Sequence, residues 1–411
     1  MKPALPALMH RAVVVSALGY FVDIYDLILF SVVRKKSLTD IGVPDAEILN
    51  VGIRLIDLQM VGMLVGGIIW GVLGDKRGRI SVLYGSILLY SLANLANAFV
   101  HDPHTYGALR FIAGVGLAGE LGAAITLVSE VLGKEFRSAA AGIVAGFGLL
   151  GSVAAAFIGE YLSWRWAYGI GGVMGLGLLF LRMQTGEPEI FSKIAATAQH
   201  TRGSFFAFFQ DRERFKRYIT CIGLGIPPWL VVGIFATLAP EIAKARGLHF
   251  SVQSSTSIML VYVGLAIGDL TSGALTHFVG SRKKVIAAFM LAALLLSILH
   301  LTIGGINQFL FYSTLTLLGV AIGYWALFVL TTAESFGTNL RATATTTVPN
   351  FVRASLVPLN LIVSHFASAG KIVAGAWVAG LVAFLCSFYA LYFLKETHGR
   401  DLDFIEGQET V

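Results

Sequence analysis

The sequence predicts an all-α membrane protein with twelve transmembrane helices in two pseudo-symmetric six-helix halves. Three observations predict this fold. Of the 411 residues, 56% are hydrophobic and 13% are charged, whereas soluble domains carry about 25% charged residues. Apolar runs of roughly 20 residues, long enough to cross a bilayer, recur twelve times along the chain. Short motifs also repeat between the first six runs and the last six.

Each apolar run is taken as one span, and the spans are numbered in chain order. Spans 1 to 6 cover 11–33, 50–74, 80–100, 106–129, 138–161 and 165–183. Spans 7 to 12 cover 218–240, 254–277, 284–305, 308–332, 343–366 and 371–394. The predicted domains are an N-terminal bundle over 1–183, a cytoplasmic linker over 184–217, a C-terminal bundle over 218–394 and a cytoplasmic tail over 395–411. The linker is too short to form a folded domain of its own.

The basic residues predict the orientation of the chain in the membrane. With both termini in the cytoplasm, 20 of the 30 Lys and Arg residues lie on the cytoplasmic side and 7 on the opposite side, as the positive-inside rule requires. The segment RKK at 34–36 runs against this rule. We expect no removable signal peptide, because no small-residue cleavage site follows a short apolar region. The absence of organelle signals favours a bacterial inner membrane.

Several function classes find no support in the sequence. The spans contain no HExxH, no GxSxG and no cluster of Cys and His, so we expect neither an enzyme nor a metal site. The net charge of +6 comes from short loops between spans, which argues against nucleic-acid binding. We expect a monomer in the bilayer that binds a small molecule and uses no cofactor, with protons as the coupling ion.

Motifs at equivalent places in the two halves indicate an internal duplication. GVLGDKRGR at 71–79 matches GALTHFVGSRKK at 273–284, and EVLGKEFR at 130–137 matches ESFGTNLR at 334–341. The offsets are 202 and 204 residues, and both motifs fall on the predicted cytoplasmic side. Duplicated six-helix halves are typical of many secondary transporters.

These motifs resemble those of the major facilitator superfamily. GVLGDKRGR resembles the loop 2–3 signature of that family. RFIAGVGLAGE at 110–120 resembles the span-4 motif of its sugar porters and metabolite:proton symporters, and DIYDL at 23–27 is similar to the acidic span-1 motif of the symporters. The resemblance implies transport by alternating access through a cavity lined by spans 1, 4, 7, 8, 10 and 11. It also implies gating by ionic and small residues on the cytoplasmic side: Gly71, Asp75, Arg79, Glu130, Arg137, Glu334 and Arg341.

Two carboxylates stand in the otherwise apolar first span. Asp23 and Asp26 are three residues apart and therefore share one side of a helix. A charge at the bilayer centre costs about 2.5–3.5 kcal/mol on insertion scales, so such residues tend to face a cavity or a partner. We expect one of this pair to carry the coupling proton, with Glu120 in span 4 as the next candidate.

Arg353, about 11 residues into span 11, is the candidate substrate ligand. A guanidinium stays charged and can bind a carboxylate through two hydrogen bonds. Two interpretations stay open: Arg353 binds the substrate, or it pairs with Asp26, Glu120 or Asp269. The other candidate binding residues are polar or aromatic and lie in spans expected to line the cavity: Asn350, Tyr25, Trp229, Tyr324, Trp325 and Asp269.

The sequence therefore predicts a proton-coupled uptake carrier for a small carboxylate-bearing organic metabolite. An amino-acid zwitterion is the first alternative, because the acidic groups could hold its ammonium. A sugar is the second, favoured by the span-4 motif and by KETHGRDLDF at 395–404, which resembles the C-terminal signature of sugar porters.

Overall fold

The computed structural model describes residues 11–77, 79–120, 137–183, 205–303, 305–399 and 406. Over these ranges the regular structure is helical, without strands. Ten helices are long and apolar enough to cross a membrane, and Val82–Asn97 is a shorter apolar helix. Helix is present at each of the twelve predicted spans, and span 4 is described as far as residue 120. The predicted fold class is confirmed.

The first half contains one helix per span. Spans 1 to 6 are Arg11–Asp40, Ile48–Arg77, Arg79–Asn97, Pro103–Leu117, Arg137–Tyr161 and Trp164–Met183. Span 1 begins, and span 6 ends, at what we call the terminal face. The opposite end of the bundle, where span 1 meets span 2, is called the distal face.

In the second half, three spans are interrupted. Span 7 consists of Arg212–Leu224, Ile226–Leu230 and a π-helical turn, Val231–Ala236. Spans 8, 9 and 12 are Ser254–Val279, Arg282–Thr302 and Ile372–Phe393. Span 10 divides into Gln308–Ala321 and Trp325–Ser335, and span 11 into Thr338–Ala354 and Leu356–Ser368. Two short helices, Ala207–Gln210 and Ala239–Ala245, precede and follow span 7.

Local sequence explains where several helices begin and end. Asp102 caps span 4 by accepting hydrogen bonds from the backbone N–H groups of His104 and Thr105, and the following Pro103 needs no backbone partner at that position. Ser281 caps span 9 in the same way. Span 8 ends at Gly280, whose φ of 65° lies in the left-handed region that glycine adopts without strain.

The interruption of span 10 depends on a close contact with span 8. The backbones of Gly268 and Gly323 approach so closely that a Cβ on either would collide with the other span. Asp269, the next residue on span 8, accepts a hydrogen bond from the backbone N–H of Ala326 (2.9 Å). Its carboxylate therefore caps the second helix of span 10, whose first N–H groups lack helical partners.

Helix packing repeats between the halves, as the duplicated motifs predict. Span 2 packs on span 4 in the first half, and span 8 packs on span 10 in the second. The two halves meet along spans 2 and 11 and along spans 5 and 8. Because 8 and 11 are the counterparts of 2 and 5, these two contacts are equivalent under the internal symmetry. The space between them is the place for a central site.

Candidate functional site

A cavity lies between the two halves. The space between its lining side chains, including the part open to solvent, measures about 350 Å³. Side chains from spans 1, 5, 7, 8, 10 and 11 line it: Tyr20, Ile24, Leu27, Leu149, Pro228, Trp229, Val232, Tyr262, Leu265, Trp325 and Arg353. Among the described residues that line this space, Arg353 is the one charged side chain. The surroundings are thus apolar and aromatic, with a single cation.

Arg353 has a hydrogen-bond partner but no ionic one. Its Nη1 donates to Asn350 Oδ1 at 3.0 Å, and its Nε has no hydrogen-bond partner. The guanidinium carbon lies 5.9 Å from the centre of the Trp229 ring. The side chain is 1% exposed, and no carboxylate among the described residues forms an ion pair with it. A buried cation without a counter-ion is costly, so the site favours an anion.

Asn350 holds Arg353 in place rather than lining the cavity. Its Nδ2 donates to the backbone carbonyls of Ala118 on span 4 (3.0 Å) and of Thr346 one turn earlier (2.8 Å). Its Oδ1 accepts from Arg353. The amide therefore fixes the guanidinium from the second half against the backbone of the first.

Asp23 and Asp26 are both fully buried, and none of their four carboxylate oxygens has a hydrogen-bond partner. Their surroundings differ. Asp23 is within electrostatic reach of Arg353 and Glu120. Asp26 lies inside the first half, where its Oδ1 packs against Gly171 of span 6. Two carboxylates predicted to share one helix side therefore face different groups.

Arg110 of span 4 also lies near Asp26. Its Nη2 donates to Asn94 Oδ1 at 2.6 Å, and its guanidinium carbon lies 4.9 Å from the centre of the Tyr168 ring. Its Nε and Nη1 have no partner. Asn94 itself stands beside Asp26, without a hydrogen bond of good geometry between them.

Glu120 forms a buried ion pair with Arg182 at the end of span 6. Nη1 of Arg182 donates to Oε2 of Glu120 at 3.1 Å, and Nη2 bonds Oε1. The pair presses on span 1 at Gly19, where a Cβ would collide with both side chains. Sequence analysis missed Arg182, because the partners are 62 residues apart and nothing in either segment indicates their contact.

Three other predicted binding residues contact the protein itself. Tyr25 donates to the carbonyl of Ala167 (2.8 Å), and Tyr324 donates to the carbonyl of Leu224 at the break in span 7 (2.9 Å). Asp269 caps span 10. By contrast, the predicted Trp229 and Trp325 line the cavity, together with Tyr20 and Tyr262, which sequence analysis missed. Tyr20 could have been found, since it shares a helix side with Ile24 and Leu27.

The predicted gating residues are only partly described. Glu130 and the side chains of Asp75, Arg79 and Arg137 lie outside the described residues. Gly71 packs against Thr343 and Thr347 of span 11. Glu334 pairs with Arg282 at 2.5 Å, and Nε of Arg341 donates to the carbonyls of Ala333 and Phe336.

Glu396 adds a further contact at the terminal face. It accepts hydrogen bonds from the Ser281 hydroxyl and from backbone N–H groups, including that of Arg282 (3.0 Å). Partial burial opposes ionisation, but these hydrogen bonds lower the pKa of Glu396 to about 2. The carboxylate is thus charged at neutral pH and ties residues after span 12 to the start of span 9.

The distal face is closed by polar contacts between the halves. Arg34 of the first half pairs with Glu241 of the second at 2.5 Å, and Asn360 of span 11 donates to Asp57 of span 2 at 2.7 Å. Ser255, at the start of span 8, donates to Glu160 of span 5 at 2.9 Å, and Lys36 pairs with the same carboxylate within the first half at 3.4 Å. Arg34 thus joins the halves directly and Lys36 supports the Glu160 contact, which explains why the segment departs from the charge rule.

Comparisons with known proteins agree with this architecture. A family model described as Major Facilitator Superfamily matches residues 16–357. The inner membrane metabolite transport protein YgcS of Escherichia coli is 24% identical, over 69% of each chain. The 3-(3-hydroxy-phenyl)propionate transporter of the same organism is 26% identical, over 83% of this chain and 84% of its own. The crystal structure of the D-xylose-proton symporter superposes with a TM-score of 0.71 at 17% identity, over 95% of this chain and 99% of the other.

Proposed function

This chain belongs to the Major Facilitator Superfamily, a family of membrane transporters, and we propose that it carries out proton-coupled uptake of a small carboxylate-bearing organic metabolite. It is a multi-pass membrane transporter and not an enzyme. The substrate class, the coupling ion and the direction of transport are the proposed parts. Transport follows alternating access, in which the two halves expose the central cavity to one face at a time.

The observation that carries the proposal is the environment of Arg353. Its guanidinium faces an otherwise apolar and aromatic cavity. Asp23 is within electrostatic reach of it, but no carboxylate of the described residues forms an ion pair or a hydrogen bond with it. The three candidate partners have other surroundings: Glu120 pairs with Arg182, Asp269 caps span 10, and Asp26 lies beside Arg110. A substrate carboxylate would supply the missing charge and could form two parallel hydrogen bonds.

The walls of the cavity favour a flat or apolar body on the substrate. Trp229, Trp325, Tyr20 and Tyr262 present aromatic surface next to Arg353, and aromatic side chains bind planar groups by stacking or edge contacts. An amino-acid zwitterion is less favoured, because no carboxylate among the described residues lines the cavity for its ammonium. A sugar is less favoured because the described lining contains no Asn, Gln, Asp or Glu.

Proton coupling is proposed for Asp23 and Asp26. Both carboxyl groups are buried without hydrogen-bond partners, and a buried ionised carboxylate is unfavourable unless it is paired. Each lies near an arginine that contacts with another span hold in place. Asp23 lies near Arg353, and Asp26 lies near Arg110. Glu120 remains a candidate, although its ion pair with Arg182 gives its charged form a partner.

We further propose that the terminal face is cytoplasmic and the distal face extracytoplasmic, in a bacterial inner membrane. The distribution of Lys and Arg supports this orientation. The predicted gating residues, of which Gly71 is the first in the chain and Arg341 the last, would then form the inner gate. The contacts of Arg34, Lys36 and Asp57 would form the outer gate. The protein would work as a monomer.

The proposal is tested by binding of acids and their neutral analogues. Ligand binding raises the melting temperature by mass action, so purified protein is screened with benzoate, nicotinate and 3-phenylpropionate beside their primary amides. We expect shifts with one or more acids and none with the amides. Arg353→Lys and Arg353→Ala should abolish those shifts, because lysine cannot form the two-pronged contact.

Arg54→Lys is the control, since Arg54 is an exposed basic residue within span 2. It should bind as the wild type does. Equal shifts with acids and amides, or wild-type binding of an acid by Arg353→Lys, would refute the assignment of Arg353 to the substrate carboxylate.

A further inference from the structure

A row of buried hydroxyl groups runs through the first half, from the distal face towards Asp26. Ser37, Tyr106 and Tyr168 are each 0% exposed. The Tyr106 hydroxyl donates to that of Tyr168 at 2.8 Å and lies 3.3 Å from Oγ of Ser37. The three residues come from spans 1, 4 and 6. Polar groups are thus aligned in a region that is otherwise closely packed with aromatic rings.

Packing alone does not require these hydroxyls. The Tyr106 ring lies edge-on to Phe30 (5.2 Å between centres) and parallel to Trp164 (5.9 Å). A phenylalanine at 106 or 168 would make the same ring contacts. Burying a hydroxyl has a free-energy cost that a hydrogen bond only offsets. Two tyrosines whose hydroxyls bond each other therefore suggest a use for the hydroxyls themselves.

The outer end of the row reaches the surface at Asp40. This residue lies one helical turn beyond Ser37, and its side chain is 53% exposed. Nε1 of Trp164 donates to its Oδ2 at 3.0 Å. Asp40, which also pairs with Arg165 at 3.4 Å, thus places an exposed carboxylate at the distal face, three residues beyond the first buried hydroxyl.

The inner end reaches the surroundings of Asp26. Gly171, against which Asp26 Oδ1 packs, lies one turn along span 6 from Tyr168. The groups that face Asp26 from the packed elements are Asp23 and Tyr25 on its own helix, Tyr90 and Asn94 on span 3, Arg110 on span 4 and Tyr168 on span 6. Among them, Tyr168 is the one joined by hydrogen bonds to groups nearer the distal face.

We propose that Ser37, Tyr106 and Tyr168 form the path along which protons enter from the distal face to Asp26. This inference rests on the proposed function, in which Asp26 is a coupling carboxylate. A hydroxyl both donates and accepts, so each oxygen can receive a proton from the outer neighbour and pass its own proton inward. The hydroxyls end unchanged, and the net transfer is one proton from external water to the Asp26 carboxylate.

The path is interrupted at its last step in this conformation, because Asp26 has no hydrogen bond to Tyr168. A coupled carrier needs such a gap, because a continuous path would let protons cross without substrate. The distal closure formed by Arg34 and Glu241 involves both halves, whereas the hydroxyl row lies within the first half alone. Protons can therefore reach the interior without the rearrangement that admits substrate.

The test follows exchange of the Asp26 carboxyl proton for deuterium by infrared spectroscopy, which needs no substrate. Full-length protein in vesicles is transferred from H2O to D2O, and the carboxyl band absent from Asp26→Asn identifies the group. We expect Tyr106→Phe and Tyr168→Phe each to slow exchange by about a hundredfold or more, the lower end of the effect of a lost proton-transfer group. The double variant should exchange no more slowly than the slower single variant, because both residues serve one path.

Tyr90→Phe is the matched control, since Tyr90 is buried in the same half and within electrostatic reach of Asp26, but its hydroxyl has no hydrogen-bond partner and so belongs to no row. Melting temperatures establish that all variants are folded. Exchange as fast in Tyr106→Phe and Tyr168→Phe as in Tyr90→Phe would overturn the path, as would the absence of any Asp26 band down to about pH 4. If instead Asp26→Asn retains uptake driven by a pH gradient, the coupling role of Asp26 fails, and that result is independent of the exchange rates.

Discussion

The two halves share a helix arrangement but differ in how the charged side chains around the central cavity are paired. In the first half, Glu120 pairs with Arg182, and Arg110 lies beside Asn94 and Asp26. Among its described residues, the one interruption within a span is the turn at 118–119 of span 4. In the second half, spans 7, 10 and 11 are broken, and Arg353 faces the cavity without an ion pair to a described carboxylate. The half that holds Asp23, Asp26 and Glu120 is the more regular one, and the half that presents Arg353 is the less regular one.

This difference has a physical reason. Buried charges of both signs need each other close by, and a regular bundle keeps them at fixed distances. A site for an external ligand must instead leave one charge unsatisfied, and broken helices make room for it where a cavity can hydrate the freed backbone groups. The comparison suggests that the first half stores protons and the second half binds substrate.

The largest effect is expected when the proton-storing groups are neutralised. Asp23→Asn and Asp26→Asn should each abolish accumulation driven by a pH gradient in proteoliposomes, because the neutral amide cannot take up a proton. One coupled proton supports about a tenfold concentration ratio per pH unit, and this ratio should fall to one. Substrate exchange across equal pH is measured beside it and should survive in at least one variant. Undiminished accumulation in both variants would contradict the division between halves.

A second prediction contrasts the paired and unpaired charges. Glu120→Gln should lower the free energy of unfolding by about 3–5 kcal/mol, since it breaks the buried ion pair with Arg182. Arg353→Ala should lower it by much less, because no ion pair is broken. Unfolding titrations in mixed micelles measure both. A larger loss for Arg353→Ala than for Glu120→Gln would assign Arg353 to structure.

The smallest effect is expected at the contacts between halves. Arg34→Ala should shift the protein towards a conformation that is open at the distal face, and the exchanged pair Arg34→Glu with Glu241→Arg should restore closure. Spin labels at the exposed positions 39, on span 1, and 244, on the short helix Ala239–Ala245 after span 7, report the distance in a Cys386→Ser background. Arg341→Ala, on the terminal face, should act in the opposite sense. Identical distance distributions in all variants would argue against ionic gating.

The sequence was sufficient for the fold and for part of the site. Spans, repeats and the central cation could be predicted because each depends on local composition or on spacing within one segment. Trp229 and Trp325 were found on the same basis. Tyr25 was predicted as a binding residue, whereas the structure places Tyr20 in the cavity lining. The two tyrosines lie on different sides of span 1, and Tyr20 shares its side with Ile24 and Leu27.

Contacts between distant segments could not be predicted. Nothing near Glu120 indicates that Arg182 reaches it, and nothing near Tyr106 indicates that its hydroxyl meets Tyr168. Asp269 shows the same limit, because its role as a helix cap depends on a break in span 10 that forms only where Gly323 meets Gly268. Such positions are set by tertiary packing, which a single sequence does not record.

The ion pairs of Arg34 and of Lys36 at the distal face differ in burial, and they therefore respond differently to the salt concentration of the medium. Arg34 is 2% exposed, whereas the side chains of Lys36 and Glu160 are 46% and 31% exposed. Mobile ions screen exposed charges over about 8 Å at physiological ionic strength and over shorter distances in brine. The exposed pair of Lys36 and Glu160, within the first half, therefore weakens as salt concentration rises, while the buried Arg34, which joins the halves, is screened less. A cell moved from fresh to saline water would keep the ion pair that holds the two halves of its carrier together at the distal face.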